Sequence, residues 1–508
     1  MQEKKRLSIN IIAQFVSFLV QFAISFLMTP FIVKKLGAEA YGFIGLSNNF
    51  ISYAQILTVA LNSMAGRFIA VEYHKGNLVG AQKYYASVFY ANIIVSTFIG
   101  IIAIICSFYL EYFVNIPVQL IFDVKVLFIL LIGNFLISLI FSVYNVATFI
   151  KNRLDYVAVR SIVANVIRAC VLVVAFSFFV PMLWYVGLAS VICTLYISFV
   201  NIQYKRQLTP DLVIRPKLYD FEFVRKIVNS GVWNTVSRLS NILEQGFDLL
   251  FANLFIGAYA MGQLAITKQI PVIILTLIGS IGAAFAPSLT KSFAQGSKSD
   301  MQREVMISVK LMGLISVLPL CFVFGFIDRF YDLWLPGQNS SELYLLTVIG
   351  VLYFPILLSL EGVQNLWPVL NKVKTYSLAS IILSSCTFIT LFTGIHFIPK
   401  DYSIYYLAGV STFYNFILVL FFIPLYAAKC LGVSKTFFYP SIVRVVITVV
   451  IVLSAIFFIK PFWGINSWPQ LIFAGMFEVI ICLMIGLMVI LNRDDRRNII
   501  SIVKRNKS

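Results

Sequence analysis

Asn234, Arg238, Asn241, Gln245 and Asp248 follow one another at steps of 4, 3, 4 and 3, the spacing that places side chains on one face of a helix. Ser237, Ser240 and Glu244 fill the adjoining face, and the residues around them are apolar. Two earlier segments carry the same kind of stripe: Asn10, Gln14, Ser17, Gln21 and Ser25 in one, and Asn48, Ser52, Gln55 and Asn62 in the next, with Asn49 and Tyr53 beside them. Lys268 and Gln269 stand just before Pro271, about ten residues from the end of an apolar run and so about 15 Å deep at 1.5 Å per residue. Arg168 shares a face with Ser161 and Asn165. Amides and hydroxyls in such stripes exchange hydrogen bonds across helices for about 1 kcal/mol or less. The basic residues demand more, because a guanidinium or ammonium at the centre of an apolar helix costs ~2.5–3.5 kcal/mol. Arg238 and Lys268 therefore need water, an acidic partner or an anionic ligand. Glu244, Asp248 and Glu361 are the candidate acids. Arg168 is the weaker third case, since its long side chain can reach back toward a polar surface.

Other chemistry is missing. No Gly-x-x-x-x-Gly-Lys-Ser/Thr loop is present to cradle a nucleotide. The two histidines, His74 and His396, belong to no ligand cluster. The seven cysteines (Cys106, Cys170, Cys193, Cys321, Cys386, Cys430, Cys482) are scattered and odd in number, and they read as small apolar packing residues. Glu478 has no local partner on its own segment. The chain is expected not to be an enzyme and to need no cofactor or metal.

The elements that must position these residues follow from composition. Of 508 residues 60% are hydrophobic and 12% charged, against about 25% charged in globular domains, and the mean hydropathy is +0.92. The solvent must be lipid, which restricts the backbone to helices or a closed barrel. Apolar runs of about 20 residues without strict alternation select helices. Fourteen spans are expected, near 8–30, 41–66, 84–110, 120–149, 157–180, 184–203, 227–256, 258–287, 307–327, 342–367, 375–397, 402–426, 440–459 and 469–491. With the amino terminus cytoplasmic, 30 of the 39 basic residues fall in cytoplasmic segments, as the positive-inside rule requires. Outer segments hold six (Lys34, Lys35, Lys125, Arg329, Lys400, Lys460), and Arg168, Arg238 and Lys268 lie inside spans. The net charge of +18 is thus topology rather than a nucleic-acid footprint, and both termini are expected in the cytoplasm. Glu3-Lys4-Lys5-Arg6 leads into an apolar run without a small-residue cleavage site, so the first run is expected to be a retained span and not a signal peptide.

The expected organisation is an amino-terminal lobe over 1–203, a cytoplasmic linker over 204–226 acting as hinge, a carboxy-terminal lobe over 227–491 and a basic tail over 492–508. Leu36-Gly37-Ala38-Glu39-Ala40-Tyr41-Gly42 reappears 220 residues on as Ile256-Gly257-Ala258-Tyr259-Ala260-Met261-Gly262. At the same offset Tyr73-His74-Lys75-Gly76-Asn77 meets Phe293-Ala294-Gln295-Gly296-Ser297. Six helices separate the copies, an even number, so the repeat is parallel, an arrangement that places a substrate site at the repeat interface.

These residues resemble the multidrug/oligosaccharidyl-lipid/polysaccharide (MOP) flippase superfamily, and within it the Wzx-like polysaccharide transporters. The resemblance spans essentially the whole chain; Pro30-Phe31-Ile32-Val33-Lys34-Lys35 running into Leu36–Gly42 is its most specific element, followed by the Tyr73–Asn77 loop. It implies seven helices in each lobe around a central cavity lined by spans one, two, seven and eight, the spans that carry the polar stripes. The implied cargo is an isoprenoid (undecaprenyl) phosphate- or pyrophosphate-linked oligosaccharide, carried across a bacterial plasma membrane by alternating access. Arg238 and Lys268, with Arg168 as the weaker third, would meet the phosphate. Asn48, Gln55, Gln21, Asn234, Asn241 and Gln245 suit sugar hydroxyls. Membrane lipids and the proteins of polysaccharide polymerisation and assembly are the implied partners. An alternative within the superfamily is a cation-coupled multidrug exporter, with Glu244, Asp248 or Glu361 binding H⁺ or Na⁺. A non-transporting scaffold of a glycan assembly complex would have no use for charges at mid-membrane.

Overall fold

A computed structural model describes residues 2–245, 247–370 and 372–491 of the chain; the basic tail expected over 492–508 lies outside the described residues. The described residues form helices and no strand. The longer helices, in order, are α1 (Gln2–His74), α2 (Leu78–Phe108), α3 (Ile121–Phe141), α4 (Leu154–Phe178), α5 (Tyr185–Leu208), α6 (Phe221–Gln245), α7 (Ala258–Thr267) and α8 (Gln269–Ala283). They continue as α9 (Ala286–Ala294), α10 (Lys298–Trp334), α11 (Ser340–Val351), α12 (Val373–Gly394), α13 (Lys400–Ile417), α14 (Ile423–Leu431), α15 (Tyr439–Ile459) and α16 (Trp468–Val489). Eleven helical segments among the described residues are long and apolar enough to cross a membrane. Their outward faces suit lipid: on α2, Ile94, Phe98, Ile101 and Ile105 recur at steps of 4, 3 and 4 and are all exposed.

The chain divides into two compact units, 1–265 and 266–508. In the first, α1 runs through two of the expected spans and is interrupted only at Gly37, whose φ of +86° is outside the helical region. α2, α4 and α6 pack along it. The segment after α5 docks on α2: Leu212 is fully buried, Gln82 donates to the Asp211 carbonyl, and the Asp220 N–H donates to Ser87 Oγ. Both helices that this connection joins lie in the first unit. In the second unit α10 is the central element, packed by α11, α15, α16 and the short helix Phe354–Ser359. The expected span 342–367 appears as α11 followed by the short helical pieces Phe354–Ser359, Glu361–Asn365 and Leu366–Val369. Pro355 and Pro368 break the hydrogen-bond ladder there.

The repeat is visible in backbone conformation. Gly37 and Gly257, 220 residues apart, both have positive φ, and so do Gly76 and Gly296. Immediately after the second pair, Asn77 caps α2 by accepting from the Gly80 N–H and Ser297 caps α10 by accepting from the Asp300 N–H, again at the same offset. Within the first unit the two copies of the motif touch. A Cβ on Gly42 would stand 2.8 Å from the Gly262 nitrogen, and one on Gly262 would fall on the Ala38 carbonyl.

Candidate functional site

The polar stripe of α6 lies along the second half of α1, and one glycine sets how close the helices come. A Cβ on Gly231 would overlap the Ala60 carbonyl, so only glycine permits this approach. With the backbones this near, stripe meets stripe. Arg238 Nη2 donates to Gln55 Oε1 at 2.8 Å, and Asn234 Nδ2 donates to Ser63 Oγ at 3.0 Å. Among the described residues Arg238 is thus held by a neutral amide and is bonded to no carboxylate. Asn48, Ser63 and Asn234 are exposed along the same seam, and Asn48 stands two helical turns from Gln55, about 10 Å along the axis. Tyr53 stacks on Phe247 with ring centroids 5.6 Å apart, and the buried Asp248 lies within electrostatic reach of the tyrosine. The side chains of Asn241, Glu244 and Gln245 lie outside the described residues.

Behind the seam is a network that the sequence reading only half identified. Asn62 and Asn92 exchange amide hydrogen bonds at 3.0 and 3.1 Å, and Asn92 also donates to the Leu139 carbonyl at 3.0 Å and to Ser142 Oγ at 3.2 Å. Asn92 is fully buried. It fastens α1, α2 and α3 together. A lone asparagine in the apolar run of α2 was the available signal. A second missed pair is Asn115 and the fully buried Asn253. The Asn115 N–H donates to Asn253 Oδ1 at 2.8 Å, and Asn253 Nδ2 returns a bond to the Asn115 carbonyl at 2.9 Å.

The remaining residues of the expected site lie elsewhere. Gln21 is exposed on the first half of α1. Arg168, on α4, lies within electrostatic reach of Tyr41 and Cys193. Arg160, counted with the cytoplasmic charges on sequence, is only 6% exposed and its Nη1 has no partner. In the second unit Lys268 is half-buried where α7 ends and α8 begins, and the repeat offset makes it the counterpart of Asn48. Glu361 packs against Gly279 and Gly282 of α8 and accepts from Gln364 Nε2 at 3.0 Å. Outside the spans, Lys125 donates to Glu111 at 2.7 Å and holds that carboxyl below the usual carboxylate range.

Three comparisons bear on this arrangement. A family model described as polysaccharide biosynthesis protein matches residues 7–293. A Bacillus subtilis (strain 168) protein described as uncharacterized membrane protein EpsK is 27% identical over 504 residues, 99% of this chain and 99% of that protein. Among solved structures, the lipid II flippase MurJ in an inward closed conformation superposes with a TM-score of 0.65 at 13% identity, covering 94% of this chain and 97% of its own. An inward-facing multidrug resistance MATE family transporter of the MOP superfamily gives 0.64 at 16% identity, with 84% and 97% covered. At these identities the two structures speak for the fold.

Proposed function

The chain belongs to the polysaccharide biosynthesis protein family, a MOP-superfamily group of multi-pass membrane transporters, and from that premise we propose that it is a flippase for isoprenoid phosphate- or pyrophosphate-linked oligosaccharide. The cargo moves from the cytoplasmic to the outer leaflet of a bacterial plasma membrane by alternating access. Fourteen spans follow if three are added to the eleven apolar segments: the second half of α1 beyond Gly37, the polar helix α6, and the broken helical run over 340–369. An even number places both termini on one side, and the distribution of Lys and Arg makes that side the cytoplasm.

The observation that carries the reading is Arg238, held by Gln55 with no acid bonded to it among the described residues. A neutral amide orients the guanidinium without neutralising it, which suits it to meet an anionic ligand. A phosphate crossing the hydrocarbon loses its hydration, and charge-assisted bonds from a guanidinium replace part of it. Lys268 is the corresponding basic residue of the second unit. Asn48, Gln55 and Asn234 supply donors and acceptors for hydroxyls. Asp248 and Glu361 are the described carboxylates that could load H⁺ or Na⁺ to drive the cycle.

The test is export of surface glycan in a strain that depends on this chain. Arg238→Gln removes a charge that no described carboxylate pairs, so the protein should accumulate in the membrane and melt at or above the wild-type temperature while exported glycan falls at least tenfold. Lys268→Gln should act in the same direction. Normal glycan in both variants would defeat the anion-binding role. A protein that no longer folds would assign Arg238 to structure.

A further inference from the structure

The second unit holds a group of side chains that transport of a glycolipid does not use. Cys321 is on α10, and Glu478 and Cys482 are on α16; they are 0%, 1% and 1% exposed. The two Sγ atoms and a carboxylate oxygen lie within 4.8 Å of one another. Glu478 and Cys482 are one helical turn apart and so share a face of α16, and the Cys482 thiol donates to Glu478 at 2.9 Å. α10 brings the third group from the opposite side. The helices are held close near this level: a Cβ on Gly486, one turn beyond Cys482, would stand 2.6 Å from Leu314 Cδ1. Among the described residues no Lys, Arg or His is bonded to Glu478. An acid at the middle of an apolar helix is expensive to keep, and packing alone would be served by an aliphatic residue.

We propose that Cys321, Glu478 and Cys482 form a binding site for a thiophilic divalent metal ion of the zinc class, which ties α10 to α16. Two sulfurs and one carboxylate suit Zn²⁺ or Cd²⁺, whereas Ca²⁺ and Mg²⁺ take all-oxygen shells. A pair of ligands at i and i+4 on one helix completed by a residue from another element is a common way to build such a site. Metal–sulfur bonds of about 2.3 Å and metal–oxygen bonds of about 2.1 Å put the donor atoms roughly 3.7 Å apart in a tetrahedron. The present group therefore needs shifts of about 1 Å at most, with the wider separations closing and the Cys482–Glu478 contact of 2.9 Å opening. Binding one ion to the two thiols and the carboxylic acid releases three protons and leaves a complex of charge −1, with the fourth position open to water or a further donor. No electron transfer is involved. The ion would act as a staple two residues beyond Pro319, where α10 lacks one backbone N–H.

The test uses the full chain, purified in detergent under reducing conditions and stripped with a chelator, then titrated with Cd²⁺ and Co²⁺. One equivalent should bind with a thiolate-to-metal charge-transfer band in the near ultraviolet. That band should vanish in Cys321→Ser/Cys482→Ser, and the affinity should fall at least tenfold in Glu478→Gln. Zn²⁺ should raise the melting temperature of the wild type by several degrees and leave that of the double variant unchanged. Should the double variant fail to fold, Cys482→Ser alone must lose at least half of the band intensity. Absence of a band in the wild type overturns the proposal. So does a band that persists in the double variant, which would place the ion on the other five cysteines. A disulfide between Cys321 and Cys482, found by mass spectrometry of protein alkylated at harvest, also overturns it.

Discussion

Substituting Gly262 by alanine asks whether the two copies of the repeated motif meet as described. The new Cβ would fall on the Ala38 carbonyl, which is backbone on a buried segment and cannot rotate away. Overpacking of this kind costs about 1–3 kcal/mol, and the upper half of that range applies where only main chain can yield. Alanine returns about 1 kcal/mol of helix propensity, so the net loss should be about 1–2 kcal/mol. At roughly 2–4 °C per kcal/mol for a unit of this size, the melting temperature should fall by about 2–8 °C. Gly66→Ala is the matched control. It lies on α1, and its Cβ would find its nearest neighbour, Val146 Cγ2, at 3.9 Å. With no contact to offend, it should keep the propensity gain and melt at or a few degrees above the wild type. The readout is the temperature at which each variant loses its monodisperse peak in detergent size-exclusion chromatography. Two variants shifted in the same direction would refute the close approach of Gly262 to Ala38, whatever the size of the shifts.

Three further outcomes are expected. Asn92→Ala removes the four hydrogen bonds that tie α2 to Asn62, Ser142 and the Leu139 carbonyl and should lower stability by about 1–3 kcal/mol; an unchanged melting curve would mean that the network carries no load. Lys460 Nζ donates at 2.8 Å to both Asp328 oxygens and at 2.7 Å to the Gly325 carbonyl, so Lys460→Met should destabilise by about 1–3 kcal/mol. Asp328→Asn should recover part of that loss, and no recovery in the double variant would argue against the pair. Gly231→Ala forces α6 away from Ala60 and should weaken glycan export without touching Arg238 or Gln55; full export would show that the close seam is dispensable.

Much of this was legible in the sequence because lipid makes polarity conspicuous. Arg238 and Gln55 were identified as stripe residues on helices with no other reason to be polar, and the structure joins them directly. The interruption after the first expected span falls at Gly37 of the repeated Leu36–Gly42 motif, and its copy at Gly257. What escaped were contacts without periodicity. Cys321 is 157 residues from Glu478, and nothing local says that α10 and α16 will bring them together, so the cysteines read as packing residues and Glu478 as an orphan. Asn92 was hidden for the opposite reason: a single amide in an apolar run has no stripe to belong to, and its partners come from two other helices. The breaks within 340–369 were written in Pro355 and Pro368, but a hydropathy window averages over them and reads one span.

The repeat also separates what the scaffold needs from what the cargo needs. At the offset of 220 the backbone-determining positions are retained in kind: Gly37 with Gly257, Gly42 with Gly262, Gly76 with Gly296, and a polar cap at Asn77 and Ser297. Each is held by geometry, through a positive φ, a main-chain contact or an unpaired N–H at a helix start, and geometry tolerates few alternatives. The polar positions between them are retained only in part: Ser47 matches Thr267 and Asn49 matches Gln269, but others diverge. Asn48 faces Lys268 across the offset, and Gln55 faces Leu275. A symmetrical cargo handled identically by both copies would have kept these pairs alike. Their divergence, with the amides concentrated on one copy and a lysine on the other, is what an elongated, chemically uneven cargo would select, one with hydroxyls along part of its length and an anion at one end. Converting Lys268 to Asn would restore the pair, and on this reasoning it should cost export as severely as Lys268→Gln while leaving the fold intact.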